Sequence, residues 1–182
     1  MSSDPRASAD KGIMEEKLKF MMLALEYSRQ ALPECRPNPP VGCVIVRDGE
    51  VVAKGFTQPP GQHHAEIDAI AKLTFPISEC EIYVTLEPCS FQGRTPSCAL
   101  TIAELKPKHI YIAMDDPHPK NRGAGRTILK KAGIALHRAS ESRRSRNFFS
   151  PIWTRLRHKH HFYRRIGISA GRYPIIIPTF SS

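Results

Sequence analysis

The sequence predicts an α/β fold in three layers, α/β/α, around a central mixed sheet of about five strands. Short β-branched runs alternate with stretches of helical apolar period, in the order α-β-β-α-β-α-β-α-β. Two of those runs flank Asp48-Gly49, a two-residue hairpin signal. The chain has 182 residues, 41% of them hydrophobic: enough for one domain with a real core, too few for two full enzyme domains.

Each element has its own reason. Residues 1–12 are polar and read as a disordered leader. Residues 13–32 place Leu18, Met21, Met22, Leu25 and Leu32 near helical period and stop before Pro33. Pro33–Pro40 is a proline-rich loop that contains Asn38. Val41–Arg47 and Val51–Phe56 are the hairpin strands. A helix follows over His63–Leu73, with Ala65, Ile67, Ala69 and Ile70 in reach of the core. Glu81–Leu86 is a strand, Glu87–Ser97 a long loop, Cys98–Leu105 a helix and His109–Met114 a strand. Asp115–Gly123 is a loop and Ala124–Lys131 a helix that Gly133 stops; Ile134–His137 is the last strand. The expected domain is 13–137, and 138–182 is a tail.

Charge separates the two. The whole chain carries +10. Residues 138–182 hold ten Lys/Arg against one acid, Glu141, so the tail accounts for +9 and the domain for +1. Basicity therefore says little about what the domain binds. The tail interleaves its basic residues with Phe148, Phe149, Trp153, Phe162 and Tyr163. Such a pattern suits RNA or packing on a neighbouring surface, and packing on the domain or across a dimer is the favoured expectation. No run of about 18 apolar residues is present and the first residues lack an apolar signal core, so a cytoplasmic protein without a membrane span is expected. Five cysteines fit a reducing compartment better than a disulfide framework. Cys43 sits in an apolar strand; Cys35 and Cys80 have no assigned role.

The chemistry is concentrated in His64-Ala65-Glu66, Pro88-Cys89 and Cys98. One histidine and two cysteines supply three zinc ligands, the number that leaves a catalytic ion an open position. Glu66 stands two residues beyond His64, close enough to handle a water without binding metal. This is the H-x-E…P-C…C arrangement of zinc deaminases, in which the glutamate moves protons while hydroxide attacks an amino-bearing ring carbon. His64 opens one helix and Cys98 another, where free N–H groups and the helix dipole favour a thiolate. Taken singly, any of these residues is more often core or surface than ligand; all four in this order make that bland reading unfavourable. Eight residues separate the cysteines, where most such enzymes have two.

That long spacing carries a resemblance. Pro37–Val46, Gly55-Phe56, His64-Ala65-Glu66, Glu87-Pro88-Cys89-Ser90, Gly93-Arg94-Thr95-Pro96-Ser97-Cys98, and Asp116-Pro117 with Gly123 and Gly125 beyond resemble the RibD-type pyrimidine deaminases of riboflavin biosynthesis, over about residues 15–137. The resemblance implies a cytidine-deaminase-like fold, one Zn2+ per subunit and a phosphorylated pyrimidinone as substrate; a homodimer is a separate expectation. It implies that Asn38, Arg94 and Asp116 line the substrate pocket. Three positions depart from the family's pattern: Thr57 and Phe91 stand where histidines are usual, and His118 where an asparagine is usual. A changed set of polar groups changes specificity, because a mismatched partner leaves buried atoms unpaired. Thr57, Phe91 and His118 are therefore added to the expected pocket. Arg94 is the expected phosphate contact, with Lys120 and Arg122 able to share that role.

Bacterial relatives carry a reductase after the deaminase, and this chain ends about where that domain would begin. The expectation is a standalone enzyme that deaminates 2,5-diamino-6-ribitylamino-4(3H)-pyrimidinone 5′-phosphate and releases ammonia. The alternatives are a deaminase of the ribosylamino form and a tRNA- or nucleoside-editing zinc deaminase. Nucleic acid is disfavoured, because the long cysteine loop suits a lid over a small molecule. A purely structural zinc site is disfavoured by the unligated Glu66.

Overall fold

Strand β1 (Gly42–Arg47) lies inside a five-stranded sheet of order β2-β1-β3-β4-β5. The computed structural model describes residues 5–138. Its strands are β2 (Glu50–Phe56), β3 (Glu81–Val84), β4 (His109–Ile112) and β5 (Ala135–Arg138). β1 pairs antiparallel with β2 and β3, while β3–β4 and β4–β5 are parallel. The sheet is mixed, as expected. Asp48 and Gly49, both at positive φ, form the hairpin turn, and the register shifts by one between Ile45 and Val46.

The helices are α1 (Pro5–Tyr27), α2 (Ala65–Ile70), α3 (Cys98–Leu105) and α4 (Ala124–Lys131). Adjacent β-residues face opposite sides of a sheet, so two glycines define the layers. A Cβ on Gly42 would lie 1.8 Å from the Ala24 carbonyl oxygen of α1. A Cβ on Gly55, the partner of Cys43, would lie 2.3 Å from the Ala65 carbonyl oxygen of α2. The backbones of α1 and α2 thus press on opposite faces at positions that admit no side chain. α3 and α4 pack on each other.

The core is continuous across these layers. Phe20, Met21, Ala24 and Leu25 form the buried stripe of α1, at helical spacing. Val44, Ile45, Ile82, Tyr83, Ile110 and Ile112 are fully buried in the sheet. Each such side chain contributes about 1.5–3 kcal/mol relative to an exposed one. Tyr83 stacks on Tyr111, and Tyr111 on His137, both at 4.5 Å between ring centroids. Lys17 reaches down from α1 to Glu81 at 2.6 and 2.8 Å.

Several boundaries differ from expectation. The first helix begins at Pro5, inside the stretch expected to be disordered. Proline suits a first helical turn, and polarity alone does not prevent a helix. That helix ends at Tyr27, and a single 3-10 turn (Ser28–Ala31) completes the stretch; Leu32 is exposed. α2 is shorter than His63–Leu73, because Lys72 and Leu73 tighten onto Ala69 and Ile70 in 3-10 fashion ahead of Pro76. β3 and β4 end two residues early, although Ala113 N–H to Val84 O and Glu87 N–H to Met114 O still tie the chain beyond them. β5 is displaced by one residue. The expectations for the tail lie outside the described residues. Among the described residues, no helix is long and apolar enough to cross a membrane.

Candidate active site

Three elements deliver the ligand set to the end of the sheet where β3 and β4 finish. His64 is the N-cap of α2, and its side chain makes no capping bond, so the ring is left to point elsewhere. Cys89 lies on the loop after β3. Cys98 is the first residue of α3, whose cap is Ser97. The His64 Nδ1 atom lies 3.6 Å from Cys89 Sγ and 3.4 Å from Cys98 Sγ, and the three ligand atoms fall within 4.8 Å of one another. Zn–S near 2.3 Å and Zn–N near 2.05 Å in tetrahedral array require about 3.6 Å between such ligands. The donor set therefore fits zinc in both spacing and chemistry. Among the described residues it is the one group of three or more candidate ligands that converge this way.

The loop holding Cys89 is fixed from both sides. Toward α3, the Ser97 hydroxyl donates to Cys89 O at 2.7 Å and accepts from Leu100 N, while Ala99 N–H also donates to Cys89 O. Cys98 N–H donates to Cys89 Sγ at 3.2 Å, a helix-start amide aimed at the sulfur. Cys98 starts α3 as expected, and the amide of that helix start also serves the Cys89 sulfur. Hydrogen bonding from the Cys98 thiol, against burial and with help from His64, holds the Cys89 thiol down to about 4. The same contact, then burial, pushes Cys98 up. The hydrogen bond with Cys89 raises His64. The protein groups alone thus favour one thiolate, on Cys89.

Glu66 is 3% exposed, in the first turn of α2. Burial, then the Cys89 charge, pushes its carboxyl up to about 7, while His64, its own backbone amide and Cys98 pull it back. A carboxyl poised near neutrality beside a metal-ligand set is suited to take and return a proton. His63 is exposed and stands apart as a neighbour.

The expected pocket residues fall into groups. Asp116 and His118 follow β4 on the loop beside Cys89. Burial raises Asp116, whose oxygens accept from His118 N–H and from Asn121 Nδ2. The Phe91 and His118 rings face each other at 6.0 Å, bridging the loops after β3 and β4. Phe91 and Arg94 are exposed on the long cysteine loop. Asn38 is half-buried on the proline-rich loop, its N–H bonded to Cys35 O. Thr57 is 2% exposed, and its hydroxyl accepts from Val41 N–H at 3.0 Å, so that group braces the start of β1.

Two further residues have a part in this arrangement to which the sequence reading assigns no role. Glu87, with its side chain fully buried, accepts from the amides of Asp116, Gly123 and Arg126. It joins the ends of β3 and β4 to the start of α4. Asn121 is fully buried and touches both Pro88 and Ser90. The proximity of Glu87 to Cys89 is a signal for the first; nothing in the sequence marks the second.

Residues 14–114 match the cytidine and deoxycytidylate deaminase zinc-binding region. The riboflavin biosynthesis protein RibD of Chlamydia pneumoniae is 39% identical over 123 residues, 68% of this chain and 33% of its own length. A solved diaminohydroxyphosphoribosylaminopyrimidine deaminase/5-amino-6-(5-phosphoribosylamino)uracil reductase from Thermotoga maritima is 33% identical with a TM-score of 0.65, over 74% of this chain and 39% of that one. The Rib2 deaminase of Aspergillus oryzae in complex with DARIPP is 20% identical with a TM-score of 0.55, over 67% of this chain and 82% of that one, a likeness of fold alone. The chain spans about a third of the length of the curated relatives it matches. With the match extending over more than half of its residues, the chain belongs to the cytidine and deoxycytidylate deaminase zinc-binding family.

Proposed function

We propose that this protein is a zinc-dependent hydrolytic deaminase acting on a phosphorylated diaminopyrimidinone of riboflavin biosynthesis. The observation that carries the reading is the convergence of His64, Cys89 and Cys98 with Glu66 buried beside them. In this reading those three residues hold one Zn2+ per subunit. When bound, the ion supplies Lewis acidity that makes hydroxide available from water near neutral pH. Glu66 takes one proton of the water and gives it to the ring nitrogen next to the attacked carbon; it then takes the second, from the hydroxyl on that carbon, and gives it to the amino group, which leaves as ammonia. Phe91 and His118 form one wall for the substrate, Asp116 offers a carboxylate, and Arg94 on the exposed loop closes on phosphate. Asn38 and Thr57 complete the pocket, Thr57 through the backbone it holds. The subunits pair as a homodimer, and the protein works in the cytoplasm.

Two sugar forms compete. Similarity to RibD proteins near 40% identity supports the ribosylamino compound. Phe91 and His118 support the ribitylamino compound, because a bulky ring and an imidazole at the mouth alter the sugar side of the pocket. The deciding assay measures ammonia release by the zinc-loaded protein with each 5′-phosphate. Turnover of one form alone assigns the sugar; turnover of neither would sink the riboflavin reading and leave a deaminase of another heterocycle.

A further inference from the structure

The side chain of Asn121 spans two functions of the site. Its Oδ1 accepts from Ser90 N–H at 2.6 Å, and its Nδ2 donates to Pro88 O at 3.3 Å and to Asp116 Oδ2 at 3.0 Å. Pro88 and Ser90 are the residues on either side of Cys89. One amide therefore grips the chain before and after the sulfur-bearing residue, and with its remaining hydrogen holds the Asp116 carboxylate. Asn121 is 0% exposed, so no water substitutes for these partners without a cavity opening. Its own position is set by a turn: Asn121 N–H donates to His118 O, and Ala124 N–H to Asn121 O at 2.7 Å.

We infer that Asn121 is a positioning residue that locks the Cys89 sulfur and the Asp116 carboxylate into one rigid frame, so that metal site and substrate wall keep a fixed separation. The inference rests on the reading of His64, Cys89 and Cys98 as zinc ligands. On the α3 side, Cys89 is held by Ser97, Ala99 and Cys98. Asn121 supplies a side-chain clamp on the other side, directly around Cys89, where Glu87 anchors only the start of the loop. Outer partners of this kind change metal affinity by about 10–100-fold when removed.

The test uses the full chain. Zinc affinity is measured by competition with a chromogenic chelator, and the thiolate-to-metal charge-transfer band is recorded after loading Co2+. Asn121→Leu removes all three bonds at similar volume. Asn121→Asp keeps the shape and the acceptor for Ser90 while losing both donors. Met21→Ala, a cavity in α1 on the opposite face of the sheet, controls for general loss of stability. The expected result is zinc affinity lowered about 10–100-fold in Asn121→Leu and at least as much in Asn121→Asp, whose buried carboxylate would face Pro88 O and the Asp116 carboxylate, with a displaced Co2+ band in both. Met21→Ala should lower the Tm with affinity and band unchanged. A second check is a cycle with Asp116→Ala: a shared frame makes the affinity losses non-additive.

Wild-type affinity and band in folded Asn121→Leu would overturn the inference, as would equal changes in Met21→Ala. Failure of both Asn121 variants to fold would assign the residue to the fold itself and overturn it too. A wild-type chain that binds no zinc would instead remove the zinc reading on which the inference stands.

Discussion

Glu66 shows how one side chain's environment selects its chemistry. An exposed glutamate is ionised at pH 7 and a weak proton donor; burial, then the charge of Cys89, brings this one to about 7. Replacement by glutamine keeps the volume and removes the titrating proton. Glu66→Gln should bind zinc with the wild-type stoichiometry and lose at least about 10²-fold in kcat, as general acid–base groups do. Metal analysis beside an ammonia-release assay reads both; a variant with normal turnover would show that the proton travels another way. His64, Cys89, Cys98 and Glu66 are legible in the sequence alone, because four reactive residues in fixed order have little other reason to coincide. Asn121 is not legible there: its work depends on where the loop after β4 crosses the loop after β3, and no local pattern encodes that crossing.

Between elements, backbone proximity and buried charge decide what holds. A Cβ on Gly125 would fall 2.1 Å from Pro88 O, so α4 lies against the loop that carries Cys89 with no room for a methyl group. Gly125→Ala should cost about 1–3 kcal/mol through forced displacement and lower zinc occupancy together with Tm. An unchanged Tm would mean the loop gives way freely. The clamp between α1 and β3 obeys a different rule. Burial pushes Glu81 up, but Lys17 and the Tyr83 hydroxyl outweigh it and hold the carboxyl below the usual range. A depressed folded pKa gives stability that is present above the unfolded pKa and disappears as pH falls through the folded one. Glu81→Gln should therefore cost on the order of 1–3 kcal/mol at pH 7 and flatten the acid limb of a stability–pH curve, measured by urea unfolding from pH 7 to 3. A parallel downward shift of the whole curve would assign the loss to packing. Order and type of elements are readable from period and turn residues. The ends of α1, α2, β3 and β4 are not, because 3-10 tightening and hydrogen bonds past the strand ends are settled by neighbours.

At the scale of the molecule, the described core closes on itself within residues 5–138. The five strands, four helices and buried cluster described there, from Phe20 to Ile134, form one continuous packing unit. The charge tells the same story, since the tail carries +9 of the net +10. We propose that the domain and the tail are thermodynamically separable. A chain ending after residue 138 should unfold in one cooperative transition and bind one zinc, because the pairs β4–β5 and β3–β4 and the ligands His64, Cys89 and Cys98 all remain. It should also elute from a heparin column at much lower salt than the full chain, because nearly neutral residues 1–137 offer few counterions to exchange. Calorimetry, metal analysis and the salt gradient measure the three outcomes on one pair of proteins. Loss of the cooperative transition would mean that the tail supplies part of the core, for which the exposed His137 end of the Tyr83–Tyr111 stack is the place to look. Retained zinc with unchanged heparin elution would place the basic surface on the domain itself, against the charge count.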